Sequence, residues 1–355
     1  MPRSSNTKIA STRRTLLGSL KRPFSAIAAR ARSFMARRPH RSFRLTKRRD
    51  YNRSLKLPGY IGFTRTVNNT LWRHRKLFLL LAVVYAVLSS AMIGIGSQDT
   101  YSSLTSTLQD TGSDVFQGNF AELGKAGLLF VSIASSGLTA TPTEAQQIYT
   151  VILGLMIWLV TVWLLRNLLA GHKVRLRDGV YSAGAPIIST FLVGLLMIVQ
   201  LLPLGLAVIG YSAASASGLL VGGVEAMLFW FAAALLTIMS LYWITSTFFA
   251  MIIITLPGMY PMKALRTAGD MVVGRRLRIL LRVMWMLLCI AGAWLIVLIP
   301  SILLDSGIKR LWTQIEWIPV IPFVLLVLGV VSVIWSASYI YLLYRRVVDD
   351  DAKPV

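Results

Sequence analysis

Long apolar stretches recur along the chain from residue 77 onward, and polar or charged connections separate them. A helix needs roughly 20 apolar residues to cross a hydrocarbon layer of about 30 Å, and six stretches reach that length. They cover about 77–96, 148–170, 186–210, 225–256, 279–303 and 319–344. The pattern predicts an all-α fold, a polytopic membrane helix bundle with six transmembrane helices and short interfacial amphipathic helices.

Two apolar stretches do not match the thickness of a membrane. The fourth has 32 residues and would form a helix of about 48 Å at 1.5 Å per residue, so it must tilt, bend or project beyond the bilayer. The stretch at 126–138 is too short to cross as a helix. We expect an external, interfacial or re-entrant segment there.

A shorter helical pattern precedes the first transmembrane stretch. Its apolar positions share one helical face: Tyr60, Phe63, Val67 and Leu71. We interpret 50–76 as an interfacial amphipathic lead-in to the transmembrane domain at 77–344. The alternative is that this pattern extends the first transmembrane helix toward the N-terminus.

Positive charge is concentrated before the apolar stretches. Residues 1–76 carry 21 Lys and Arg against one acid, Asp50, in a chain of formal net charge +23. Residues 1–49 have no acidic side chain, so like-charge repulsion predicts a disordered basic cytoplasmic tail. Its Arg-, Ser- and Ala-rich composition also fits an organellar transit peptide. Residues 345–355 form a short cytoplasmic C-terminal tail.

The remaining basic residues predict the orientation of the helices. If the N-terminus is cytoplasmic, thirteen Lys and Arg of 77–355 fall on inner segments, and only Lys125, Lys309 and Arg310 fall on outer ones. This distribution obeys the positive-inside rule. We therefore expect both termini in the cytoplasm, in the bacterial cytoplasmic membrane or, alternatively, in an organellar inner membrane.

The inner connections and the start of the first transmembrane helix carry cations that could meet lipid phosphates. The connection at 257–280 predicts an amphipathic helix with Met262, Leu265, Met271 and Val272 on its apolar side. Basic residues beside a membrane attract anionic headgroups. The residues predicted to bind lipid are Arg73, Arg75, Lys76, Lys173, Arg175, Arg177, Lys263, Arg266, Arg275, Arg276 and Arg278.

The transmembrane stretches contain few groups that could carry chemistry. They present no paired carboxylates, no His and Asp cluster and no HExxH helix, so general acid–base and metal-assisted catalysis lack their residues. We therefore predict no catalytic site, no metal and no cofactor. The sole cysteine, Cys289, cannot form an intramolecular disulfide. Gln200 could bond across helices or line a polar substrate path.

The connection before the fifth transmembrane stretch also resembles a known family. Its pattern is Pro261, then Ala264-Leu265-Arg266, then Val273-Gly274-Arg275-Arg276, followed by a transmembrane helix. This is similar to the inner loop in the membrane domain of glycerophosphodiester phosphodiesterases and in its stand-alone relatives. The resemblance covers 257–280 well and the six-helix layout loosely. It implies a helical membrane domain without phosphodiesterase activity, because the soluble catalytic domain of that family has no counterpart in this sequence.

These patterns support three functional hypotheses. The first is a non-enzymatic scaffold, envelope or lipid-organising protein whose basic cytoplasmic face binds anionic lipid headgroups, with another membrane protein as a potential partner. The alternative is a transporter or permease subunit, which the six helices, Pro203, Pro257 and Gln200 would support. Contact of the tail with nucleic acid or the ribosome is the third, although the tail has few aromatic residues for base stacking.

Overall fold

The computed structural model describes residues 57–93, 143–218, 220, 222–311 and 320–351. In these residues all regular secondary structure is α-helical, which confirms the predicted all-α fold for this part of the chain. All of them belong to the unit Arg53–Val355. The predictions for 1–56, 126–138 and 352–355 lie outside the described residues.

Nine helices occur in the described part of the chain. In chain order they are α1 Tyr60–Arg73, α2 Arg75–Met92, α3 Glu144–Leu169, α4 Leu176–Ala183, α5 Ile187–Ala216, α6 Gly223–Ile253, α7 Pro261–Val272, α8 Arg276–Leu311 and α9 Val320–Asp351. Six of them, α2, α3, α5, α6, α8 and α9, are long and apolar enough to cross a membrane. The predicted six-helix membrane bundle is therefore confirmed in number and kind.

Local sequence signals set both ends of α3. The Thr143 hydroxyl accepts a hydrogen bond from the Gln146 amide at 3.3 Å, and the Gln146 side chain accepts one from the Thr143 amide at 2.9 Å, which is a capping box. At the other end, Gly171 has a φ of 86°, a left-handed conformation that glycine adopts easily. The His172 amide then donates to the Asn167 carbonyl at 3.0 Å, as in a Schellman motif. The chain thus leaves α3 in a tight turn.

The core of the bundle lies around α3 and α9. Between residues 157 and 165, α3 is buried on all sides except at Trp163. The fully buried residues of α9 include Ala337, Ser338, Tyr339, Ile340, Leu343 and Val347. Helices α2, α6 and α8 pack against α9, and α2, α4 and α5 pack against α3. The two helices therefore occupy the centre, and the others surround them.

Helices α5 and α6 form an antiparallel pair that is exposed over much of its length. Gly210 lies against Phe229 of α6, and a Cβ at this position would be in ordinary van der Waals contact with the Phe229 ring at 3.5 Å. Ile209, Val224 and Met227 are among its strongly exposed apolar side chains. A continuous exposed apolar surface of this kind is suited to contact with lipid or with another membrane protein.

The face that α7 buries agrees with the predicted one except at Met262. Ala264, Ala268 and Val272 are fully buried, and α7 packs mainly against α6. Met262, which the hydropathy pattern places on the apolar side, is 57% exposed. Small side chains let two helices approach closely. Small residues spaced four apart therefore lie on the buried side of α7, together with the predicted apolar residues Val272, Leu265 and Met271.

Candidate functional site

Several cationic segments meet at one end of the bundle, which we call the basic end. It comprises the connection 170–186 with α4, the connection 254–275 with α7, the α1–α2 junction and the end of α9. Residues of both connections line one cavity together with α3, and α4 also contacts α2. The Tyr344 ring, near the end of α9, lies 6.0 Å from the Phe249 ring in α6. Segments that are far apart in the sequence are thus neighbours in the fold.

Nine of the cations predicted to bind lipid are exposed at the basic end. They are Arg73, Arg75, Lys76, Lys173, Arg175, Arg177, Lys263, Arg266 and Arg278. Arg177 Nε lies 3.8 Å from the Asp178 carboxylate, and both side chains are largely exposed. Such a pair contributes about 0.2–1 kcal/mol, so it restrains Arg177 only weakly. The guanidinium carbon of Arg75 lies 5.4 Å from the centre of the Trp72 ring, a contact between two exposed side chains. The exposed cations can therefore turn toward a charged surface at little cost.

Two of the residues predicted to bind lipid are instead engaged by the protein. Arg275 is 2% exposed, and its Nε donates to the Met271 carbonyl at 3.2 Å. Arg276 donates to the Tyr242 carbonyl at 2.8 Å, and its guanidinium carbon lies 3.7 Å from the centre of the Tyr242 ring, a cation–π contact. Both follow Gly274, whose φ of 82° turns the chain into α8. The turn brings the two arginines against α7 and α6 instead of the bilayer surface.

Arg166, in the last turn of α3, donates hydrogen bonds to Thr255, which follows the end of α6. One guanidinium nitrogen donates to the Thr255 carbonyl at 3.0 Å, and the other donates to the Thr255 hydroxyl. Thr255 lies just beyond α6, where carbonyl groups lack partners within the helix and carry partial negative charge. Arg166 also lies within electrostatic range of Tyr341 and Tyr344. One side chain therefore links α3, α6 and α9.

Arg166 also lines a partly open cavity of about 380 Å³ at the basic end. The end of α3, α4, the start of α5 and the turn at 254–259 surround this space. Its polar side chains are Arg166, Ser182, Ser189 and Thr255, and its apolar wall includes Trp163. No carboxylate of the described residues lines it. The cavity therefore combines a positive charge with hydroxyl groups.

Arg282 attaches the lead-in to the bundle from within α8. The side chain is 7% exposed. It donates to the Gly59 carbonyl at 3.4 Å and also to the Pro58 carbonyl, and its guanidinium carbon lies 4.3 Å from the centre of the Tyr60 ring. An arginine within a transmembrane helix is costly to bury. Here carbonyl oxygens and an aromatic face replace its hydration.

The rest of α1 packs against α8 and α9 through the predicted apolar face. Phe63 and Val67 are fully buried, and the Phe63 ring meets the Tyr339 ring edge-on at 4.8 Å. Two indole N–H groups complete the contact: Trp285 donates to the Thr64 hydroxyl at 3.1 Å, and Trp335 donates to the Asn68 side chain at 2.8 Å. Helix α1 is thus held by protein contacts and not by lipid alone.

Gln200 bonds to the neighbouring helix α6. The Thr247 hydroxyl donates to Gln200 Oε1 at 2.6 Å. One turn away, Pro203 lies inside α5, and the Leu204 amide donates to the Ser240 hydroxyl at 3.1 Å. A proline within a helix removes the main-chain hydrogen bond to the carbonyl four residues earlier, here Val199, and its ring disturbs that turn. The Leu204 amide, next to the proline, uses a hydroxyl of the adjacent helix as acceptor. Both bonds therefore tie α5 to α6.

No protein-family model, curated protein or solved structure matches this chain. The resemblance of 257–280 to the membrane domain of glycerophosphodiester phosphodiesterases stays a prediction. Within the described residues, no group of three or more His, Cys, Asp or Glu side chains is placed to hold a metal ion. The functional proposal below is therefore based on the geometry and charge of the described residues.

From the sequence, Arg166 is expected to extend to the membrane interface from the last turn of its apolar run, and Arg282 is an ionisable group near the inner end of the fifth run. The sequence predicts neither the carbonyl groups that they bind nor the cavity. A signal for both arginines exists, because an arginine inside an otherwise apolar run marks a special environment. Their acceptors, however, lie 89 and more than 220 positions away. The polar wall of the cavity is also assembled from three separate segments.

Proposed function

We propose that this integral membrane protein is a non-enzymatic scaffold or lipid-organising protein that binds anionic headgroups through its basic end. The proposal places the basic end at the cytoplasmic surface, with both termini on that side. The membrane is the bacterial cytoplasmic membrane or, alternatively, an organellar inner membrane. Six helices that are long and apolar enough to cross a bilayer support the membrane location.

The observation that carries the proposal is the cluster of nine exposed Lys and Arg side chains at the ends of apolar helices. They come from the α1–α2 junction and from the segments 173–177 and 263–278. Each Lys or Arg close to an anionic membrane surface contributes about 1 kcal/mol of attraction. This attraction decays over a Debye length of about 8 Å at physiological salt. Cations placed at helix ends are therefore positioned to act on headgroups.

The division between exposed and engaged cations supports the same proposal. Arg166, Arg275, Arg276 and Arg282 donate to main-chain carbonyls. These four hold the segments of the basic end together and are restrained by their bonds. The nine exposed cations lie around this framework. The framework brings separate cationic segments to one surface, and the exposed side chains give that surface its charge.

The permease alternative has less support. The side-chain oxygen of Gln200, the polar residue expected to line a substrate path, already accepts a hydrogen bond from Thr247. The cavity lined by Arg166 lies at the basic end and not beside Gln200. Contact of the tail with nucleic acid stays a prediction, since 1–49 lies outside the described residues.

The full chain in nanodiscs of mixed phosphatidylcholine and phosphatidylglycerol provides the test. We expect phosphatidylglycerol to be enriched around the protein when co-purified lipid is extracted and counted, and the enrichment to fall at high salt. The variant K173Q/R175Q/R177Q/K263Q/R266Q/R278Q should lose most of it. A control with the same loss of charge in the tail, R30Q/R32Q/R37Q/R38Q/R41Q/R44Q, should keep the enrichment at the basic end. Equal enrichment in the parent and the first variant would contradict the proposal.

A further inference from the structure

We propose that the cavity lined by Arg166 binds one phosphate group, which belongs to a phospholipid headgroup or to a soluble phosphate monoester. We call this space of about 380 Å³ the Arg166 cavity. This proposal adds a specific binding site to the proposed function. It rests on the proposed function where the phosphate belongs to a lipid. It adds one specific site to a surface that otherwise acts through its general charge.

Arg166 supplies the charge and part of the donor set. A guanidinium has five N–H groups. Thr255 takes two of those of Arg166 and the Tyr341 side chain is close enough to share a third, so two remain for an oxyanion. Arg166 forms no ion pair with a carboxylate of the described residues. A partly buried cation without an anionic partner is stabilised when an anion binds beside it. The bonds to Thr255 also fix the guanidinium, which lowers the entropy cost of binding.

Two serine hydroxyls extend the polar lining. Ser182 in α4 and Ser189 in the first turn of α5 both line the Arg166 cavity, and neither hydroxyl bonds to another described residue. Thr190, the next residue of α5, differs because its hydroxyl donates to the Pro186 carbonyl at 2.8 Å. Hydroxyls that are not used by the helix itself can donate to phosphate oxygens.

The start of α5 adds main-chain donors to the same space. Pro186 precedes the helix without a side-chain cap, and the amides of Ile188 and Ser189 have no acceptor among the described residues. The first amides of a helix carry partial positive charge and bind phosphate readily. The cavity brings this helix start together with Arg166 and two hydroxyls.

The dimensions and position of the cavity indicate the class of ligand. Small-molecule sites measure about 300–1,000 Å³, and this one lies near the lower limit. It holds a phosphate with a substituent the size of glycerol, against an apolar wall that includes Trp163 and Leu159. Because it opens among the helix ends, a headgroup can enter it from the adjacent leaflet while its acyl chains stay in the membrane.

Ser189→Asp tests the site without removing a contact that holds the fold. A carboxylate at the third position of α5 is favoured by the helix end, and it takes the position and the charge partner of the phosphate. Met262→Asp is the matched control, because it adds the same charge to the first turn of α7, at an exposed position that does not line the cavity. Arg166→Lys keeps the charge but loses the fork geometry that suits phosphate.

Binding is measured by native mass spectrometry on the detergent-solubilised full chain. The probes are phosphatidylglycerol, glycerol 3-phosphate and inorganic phosphate, added first separately and then in competition with one another. We expect one tightly held probe on the parent and on Met262→Asp, bound about tenfold more weakly by Ser189→Asp and to an intermediate degree by Arg166→Lys. Tight phosphatidylglycerol that the soluble probes do not displace identifies a lipid site, and tight binding of a soluble probe identifies a phosphate monoester site. Equal binding of every probe by all four proteins overturns the proposal.

The measurement distinguishes a wrong assignment of the phosphate site in the Arg166 cavity from a wrong proposed function. The basic surface predicts several weaker lipids, whose number falls in K173Q/R175Q/R177Q/K263Q/R266Q/R278Q. The single probe in the Arg166 cavity stays bound in that variant. If only the single probe is seen, the proposed function fails and the cavity stands. If only the weaker, charge-dependent lipids are seen, the cavity is refuted and the proposed function stands.

Discussion

Arg282 and Gly59 lie 223 positions apart in the chain, and a hydrogen bond of 3.4 Å joins the Arg282 guanidinium to the Gly59 carbonyl. The carbonyl of Pro58 accepts a second hydrogen bond from the same group. Helix α1 has no side-chain cap at its start, so this arginine fixes the point at which the chain enters the bundle.

Replacing Arg282 with Gln should release the start of α1. Glutamine is shorter and neutral, and a hydrogen bond to a charged group contributes about 1.5–3 kcal/mol. We expect the free energy of local opening over 57–66 to fall by a similar amount. Faster amide exchange in that segment, measured by hydrogen–deuterium exchange, would report it.

Arg278→Gln is the control for this substitution, because Arg278 is exposed on the same helix. It should leave exchange over 57–66 unchanged. Equal protection of this segment in the parent, in Arg282→Gln and in Arg278→Gln would show that the two carbonyl bonds do not hold α1.

Replacing Thr247 with Val should destabilise the contact between α5 and α6. Interhelical hydrogen bonds in membranes contribute about 0.6–1.7 kcal/mol, and Thr247 donates the one that Gln200 accepts. Thr245 is equally buried but bonds to the Leu241 carbonyl of its own helix. Unfolding of the chain in mixed detergent micelles should show a larger loss of free energy for Thr247→Val than for Thr245→Val. A larger loss of free energy for Thr245→Val would contradict the conclusion that the Thr247 hydroxyl holds α6 against α5.

The cost of Ser240→Ala should depend on Pro203. In the parent, this substitution removes the acceptor of the Leu204 amide, and we expect a loss of about 0.6–1.7 kcal/mol. In a Pro203→Ala background, α5 can regain its regular hydrogen bonds, and Ser240→Ala should then cost close to nothing. A double-mutant cycle measures this coupling, and independent, additive effects would argue against it.

The overall architecture follows from hydropathy because long apolar runs have few alternatives in a bilayer. The run at 225–256 becomes α6, Gly223–Ile253, and the face of Phe63 and Val67 is buried as its spacing predicts. The start of α3 likewise uses Thr143 as its cap, a residue type that is favoured at this position. These features depend on local periodicity or on the choice of one capping side chain.

The details of the basic end could not be predicted in the same way. Arg275 and Arg278 have the same charge and lie three positions apart, yet Arg275 is buried and Arg278 is exposed. The difference arises from the Gly274 turn and from the approach of α7 to α6, which Ala264 and Ala268 permit. Hydropathy scales give such small residues little weight, so tertiary packing decides which cations face outward.

A peptide of residues 1–49 should bind vesicles that contain anionic lipid. This segment lies outside the described residues, and the prediction rests on its many cations and absence of acids. Co-sedimentation with phosphatidylglycerol vesicles should decrease steeply as salt rises, because screening weakens the attraction. Binding that does not change with salt, or preferential binding to RNA when both are present, would favour a different role for the tail.

The side of the membrane on which the basic end lies tests the whole account most directly. Cys289 is the sole cysteine, so a Cys289→Ala background allows single cysteines at the exposed positions Asp178, on the basic end, and Glu225, at the start of α6. In intact cells, a membrane-impermeant maleimide should label Glu225→Cys and should reach Asp178→Cys only after permeabilisation. Labelling of Asp178→Cys in intact cells, with protection of Glu225→Cys, would place the basic end away from the cytoplasmic leaflet and contradict the account.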